Sequence, residues 1–134
     1  MTRQAVSTSG APAAGGAYSQ GIIAGDLVFC SGQLGLDPAS GELVGGIVEQ
    51  TERAVRNLAA VLDSAGLTVA DIVKVTVFLA DIGDFATFNE VYARQMTDPP
   101  PARSTFAVAA LPKPGALIEI EAIAARSRPQ SAPR

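Results

Sequence analysis

With 134 residues, 48% of them hydrophobic and 17% charged, the chain is long enough for one well-cored domain and too apolar to be a disordered segment. A net charge of −3 gives no electrostatic case for a nucleic-acid or anionic-membrane partner. Histidine is absent and Cys30 is the single cysteine, which excludes His-based triads, His-ligated or all-cysteine metal sites and an intrachain disulfide.

Residues 1–14 are rich in Ala, Ser, Thr and Gly and read as a mobile tail; 127–134, with two prolines, read as another, leaving one domain over 15–126. The N-terminus holds no long apolar run, so neither a secretory signal nor a membrane span is expected, and a cytoplasmic location follows as the default. Tyr18–Ile23 and Asp26–Ser31 flank Ala24-Gly25 as a hairpin, in which Cys30 reads as a small buried hydrophobe. Asp37 to Glu42 is turn chemistry. From Ile47 to Ala65 the apolar positions recur at helical spacing, with Gly66 as the stop. Thr68 and Asp71 frame a capping box.

Ile72–Ala80 is β-branched and apolar, hence a central strand. Its Val73, Val75, Val77 and Leu79 are expected on one face, Lys74 and Thr76 on the other. Asp81 or Asp84 then caps a second helix whose Phe85, Phe88, Tyr92 and Met96 follow i, i+3, i+4 spacing and read as core. The prolines at 99–101 end that helix. Beyond them Arg103, Thr105 and Ala107 alternate with Ser104, Phe106 and Val108 as a strand. A last strand sets Glu119 and Glu121 against Ile118, Ile120, Ala122 and Ala124. A hairpin around Leu111–Gly115 is expected to join these two strands.

The order β-β-α-β-α-β-β predicts an α+β domain, a two-layer sheet with two helices on one face. The uncovered face is expected to carry Lys74, Thr76, Arg103, Thr105, Glu119 and Glu121 among apolar neighbours such as Leu117 and Ile123. That mixture is too apolar for open water and too charged for a private core, so subunit association follows. Arg103 and Glu119 together admit two readings. The planar guanidinium can grip a carboxylate bidentately while the glutamate moves a proton, or the two form a structural ion pair.

Five segments, taken together, resemble one family: Gly16-Ala17-Tyr18-Ser19-Gln20-Gly21, Phe29-Cys30-Ser31-Gly32-Gln33, Val77 through Phe85, Pro101-Ala102-Arg103-Ser104 and Ile118-Glu119-Ile120-Glu121-Ala122. They look like the YjgF-type, or RidA-like, reactive-intermediate deaminases, and the likeness spans residues 11–126. The resemblance implies a chorismate-mutase-like fold and a homotrimer with ligand clefts between subunits. It also implies hydrolysis of enamine or imine acids, such as 2-aminoacrylate and 2-iminobutanoate, to 2-keto acids and ammonia. Such acids leak from pyridoxal-phosphate-dependent dehydratases, which makes those enzymes functional partners. On the same resemblance Arg103 binds the substrate carboxylate and Glu119 orients the water. Tyr18 and Asn89 enter the cleft across the interface, Ser31 and Gly32 lie near the ligand, and Thr105 offers a backbone N–H.

The chain departs from the family pattern at Thr105, where many members have cysteine, and at Ala17, where proline is usual. The loop before Ile118 is one residue longer, so Glu121 stays beside Glu119 as an alternative for the water-orienting group. With no histidine, one cysteine and no Gly-rich phosphate loop, no metal, nucleotide or pyridoxal cofactor is expected. Two other functions stay open: a non-enzymatic trimeric metabolite-binding or chaperone-like protein, and, with less support from the acidic balance, an endoribonuclease.

Overall fold

A computed structural model describes residues 2–127; of the expected C-terminal tail, 128–134 lie outside the described residues. Six strands and two helices follow in the order β1 (Arg3–Val6), β2 (Gly21–Ala24), β3 (Leu27–Leu34), α1 (Ile47–Ser64), β4 (Ile72–Leu79), α2 (Phe85–Gln95), β5 (Ala102–Ala107) and β6 (Ile118–Ala125). The strands form one mixed sheet ordered β1-β2-β3-β6-β4-β5, in which β4 and β5 are parallel and every other pair is antiparallel. The expected α+β two-layer architecture is therefore present, with one strand more than anticipated.

The helices arise as their patterns require. α1 buries Ala54, Val55, Leu58, Val61 and Leu62 along one stripe, and Gly66 at φ +80° ends it where a side chain would be strained. The Thr68 N–H donates to Asp71 Oδ2 (2.8 Å) and the Ala70 N–H to Thr68 Oγ1 (3.3 Å), completing the anticipated capping box. Asp81 accepts from the Gly83 N–H (2.8 Å) and caps a short 3-10 turn that leads into α2; Asp84 makes no side-chain cap.

Beneath the helices Val75, Val77, Leu79, Ile118, Ile120, Ala122 and Ala124 join Val28 and Cys30 in a continuous core. Fully burying one such aliphatic side chain stabilises by roughly 1.5–3 kcal/mol. Val73 does not join it. The register between β4 and β6 slips between Ile72 and Lys74, so Ile72 turns inward and Val73 stands 48% exposed.

Three further expectations are corrected. First, residues 1–14 are not a plain tail: Arg3–Val6 pair with β2, and Val6 and Ala11 are buried. Buried Gln20 holds the segment, its amide donating to the carbonyls of Thr8, Ala11 and Pro12 while its oxygen accepts from the Thr8 N–H. Second, β5 and β6 are not a hairpin. The α2 crossover returns β5 parallel to β4 on its outer side, and β6 inserts between β3 and β4. Third, Arg103 and Thr105 do not share the open face with the glutamates. Residues opposite one another in paired strands share a face, and Arg103 and Thr105 lie opposite Val75 and Val77, on the helix side.

Candidate active site

Arg103 is the second residue of the edge strand β5 and is half-buried. Its guanidinium carbon lies 4.9 Å from the Tyr92 ring centre, 5.3 Å from Phe88 and 5.7 Å from Phe85, all on α2. Among the described residues it has neither a hydrogen-bond nor an ion-pair partner; the ion pair present there is Glu90–Arg94, an exposed i, i+4 contact. A cleft of about 540 Å³ opens beside it, lined by Asn89, Tyr92, Met96 and the Pro100–Pro101 approach. A half-buried cation with its in-plane N–H groups unspent is a ready anion grip.

Glu119 occupies the other face. It lies opposite Phe78, which in turn lies opposite Phe106, and the two phenylalanines meet edge to face at 5.3 Å on the side away from the helices. The β3–β6 register breaks between Cys30 and Gln33, setting Ser31 and Gly32 against Glu121 as a bulge. The bulge brings the Gly32 backbone against the Glu119 carboxylate, so closely that a Cβ at position 32 would collide with it. Ser31 is held by its hydroxyl, which donates to the Ser19 carbonyl (2.6 Å). Tyr18 lies on the approach loop, 53% exposed, its hydroxyl accepting from the Gly15 N–H (3.0 Å).

These groups line one cleft of about 630 Å³, joined there by Glu121 and Lys113. Burial raises the Glu119 carboxyl above the usual carboxylate range, and the neighbouring Glu121 charge raises it further. Its position is secured through α1. Buried Gln50 accepts from the Leu117 N–H (2.9 Å) and donates to the Gly115 carbonyl (3.3 Å), anchoring the longer loop just before β6. Asn57 donates to the Leu34 and Leu36 carbonyls at the end of β3.

The sequence-derived site residues thus fall into two groups. Tyr18, Ser31, Gly32 and Glu119 share the open-face cleft, while Asn89 and Arg103 share the α2–β5 cleft. Thr105 sits on the Arg103 side, its Oγ1 buried and without a partner among the described residues. The two groups leave the sheet from opposite faces, so Arg103 and Glu119 form no ion pair within one chain, and that reading of the pair is corrected. Lys113 and the ring array under Arg103 were not foreseen as site elements. The i, i+3, i+7 spacing of Phe85, Phe88 and Tyr92 was visible, but not what the stripe would meet.

The Endoribonuclease L-PSP family model matches residues 8–126. Over 125 residues the chain is 50% identical to the 2-iminobutanoate/2-iminopropanoate deaminase of Rattus norvegicus, covering 92% of this chain and 90% of that one. It is similar to the crystal structure of RidA from the Antarctic bacterium Psychrobacter sp. PAMC 21119, at 45% identity and a TM-score of 0.88, covering 91% of this chain and 98% of that one. It is also similar to E. coli TdcF with bound serine, at 44% identity and a TM-score of 0.87, covering 92% and 99%. With the fold, the motifs and nearly the whole length in agreement, the chain belongs to the Endoribonuclease L-PSP family, the family of the RidA-type reactive-intermediate deaminases.

Proposed function

We propose that this protein hydrolyses 2-imino acids, and the enamines in equilibrium with them, to 2-keto acids and ammonia. The observation that carries the reading is a pair of half-buried groups of opposite charge, Arg103 and Glu119, unpartnered among the described residues and each opening onto its own cleft. Relatives named 2-iminobutanoate/2-iminopropanoate deaminase, at about half identity, supply the substrate class. The serine bound to TdcF is an acid of the same size and carboxylate chemistry.

A substrate of this size cannot touch both faces of one sheet. The site is therefore composite: the Arg103 half of one copy meets the Glu119 half of another in a homotrimer. Exposed Leu27, Phe29 and Phe106, together with Phe78 and Ile123, give the open sheet face an apolar surface suited to such an interface.

In the assembled cleft Arg103 holds the substrate carboxylate by two parallel N–H bonds, fixing the C=N carbon in position. Ionised Glu119 takes a proton from water as its oxygen attacks that carbon of the protonated imine; the C=N π pair moves to nitrogen and leaves a neutral carbinolamine. The carbinolamine then collapses. Glu119 gives its proton to the amine nitrogen and takes the hydroxyl proton as the C–N bond breaks; ammonia departs and carries that proton away as ammonium. Tyr18, Ser31 and the Gly32 backbone border the water side; Asn89 borders the carboxylate side.

Dehydratases that make 2-aminoacrylate or 2-iminobutanoate from serine or threonine would supply the substrate. A coupled assay tests the reading: added to such a dehydratase, the protein should speed the appearance of free keto acid in proportion to its concentration. No acceleration with either amino acid, alongside measurable keto-acid binding, would give the site to a metabolite-binding protein instead.

A further inference from the structure

The aromatic stripe of α2 has more to do than fill the core. Phe85, Phe88 and Tyr92 form a continuous array, with ring centres 6.3 Å apart for the first pair and 5.4 Å for the second. All three lie within cation–π range of the Arg103 guanidinium. Only part of this array is needed for packing. Phe88 is fully buried and Tyr92 is 4% exposed, yet Phe85 stands 38% exposed at the open end, still against the guanidinium.

We infer that this array is the positioning device of Arg103, with Tyr92 and Phe85 acting as positioning residues that fix the guanidinium plane for the acid it binds. The inference rests on the reading of Arg103 as the carboxylate grip. A guanidinium must be held somehow, because a long free side chain loses its rotamer freedom when a ligand immobilises it. The usual holder is a carboxylate, but a carboxylate binds the in-plane N–H groups and competes with the substrate for them. Aromatic rings hold the cation by its face and leave the in-plane donors free. Among the described residues Arg103 has the rings and no carboxylate, the combination that a grip for a small acid requires.

The test uses the assembled protein and four single variants, Tyr92→Phe, Tyr92→Leu, Phe85→Leu and Arg103→Ala, with the two leucine changes also made on the Arg103→Ala background. Imine hydrolysis is followed in the coupled assay, 2-ketobutyrate binding by calorimetry, and assembly by light scattering. Tyr92→Leu and Phe85→Leu should each weaken keto-acid binding and raise KM about three- to thirtyfold, the range that a partly desolvated cation–π contact supports. Tyr92→Phe, which keeps the ring, should recover most of what Tyr92→Leu loses. On an Arg103→Ala background the ring-removing changes should cost nothing further in kcat/KM, since they act through Arg103; a purely structural role would add its loss there too.

Wild-type KM and binding in both ring-removing variants, or full additivity with Arg103→Ala, would overturn the inference. Should Tyr92→Leu fail to assemble, Phe85→Leu at the exposed end decides alone. If Arg103→Ala itself binds and turns over like the parent protein, the carboxylate-grip reading falls first, and the inference with it.

Discussion

Gly32 and Glu119 share one small volume: the Glu119 carboxylate fills the space that a side chain at position 32 would need. The contact depends on the bulge of β3, which pushes the Ser31–Gly32 backbone across toward β6. Gly32→Ala must therefore move either the bulge or the carboxylate. The colliding atoms belong to a flexible glutamate side chain, so we expect the carboxylate to swing aside at little cost in stability, with a fall in kcat larger than the change in KM. Thermal unfolding and the coupled assay measure the two effects. An alanine variant with unchanged kcat would separate this contact from the chemistry.

Glu119→Gln should bind keto acid and turn over about a hundred- to ten-thousandfold more slowly, since the amide keeps the shape and loses the basicity. Its stability should shift in the opposite sense. Burial and Glu121 raise the Glu119 carboxyl in the folded protein, so its contribution to stability is complete below the ordinary carboxylate range, near pH 4, and is lost as pH rises through the raised value. The glutamine variant should therefore unfold at a higher temperature than the parent at neutral pH, and the gap should close toward pH 4. A gap that widens on acidification would reverse the sign assigned here.

Glu121→Gln provides the matching pH measurement. Removing the neighbouring charge lowers the Glu119 carboxyl, so the rise of activity with pH should move to lower pH while the maximal rate stays within a few-fold. A collapse of turnover in Glu121→Gln, with Glu119→Gln active, would exchange the roles of the two carboxylates.

The parts of this site legible in the sequence were those governed by local pattern. Helical spacing and Gly66 placed α1 to within a residue, and strict alternation put Glu119 and Glu121 opposite the buried face of β6. What alternation could not supply was the phase of one strand against another. Phe106 and Val108 suggested that Arg103 pointed away from the core, yet register with β4 sends Phe106 to the open face against Phe78 and Arg103 to the helices. That register is set by the parallel crossover, a long-range choice with no mark inside β5. The N-terminal strand escaped for a similar reason: its pairing with β2 spans a long loop, and that loop is held by one buried amide, Gln20.

Cys30 offers a check on the core itself. Burial pushes its thiol up to about 12, so hardly any thiolate exists at neutral pH. Native protein should resist iodoacetamide at pH 8 for as long as it stays folded, and react at once in denaturant; mass spectrometry distinguishes the two. Labelling of the native protein at the rate of a free thiol would show the core beneath β3 to be open.

The composite site is tested most directly by mixing two crippled proteins. Arg103→Ala lacks the carboxylate grip and keeps Glu119; Glu119→Gln lacks the proton carrier and keeps Arg103. Co-expressed with different tags and purified as mixed assemblies, the two should regain imine hydrolysis, because about a quarter of randomly formed interfaces would pair an intact Arg103 with an intact Glu119 from the neighbouring copy. Each variant purified alone should keep only its small residual rate. Mixed assemblies no faster than the separate variants would contradict a site shared between copies.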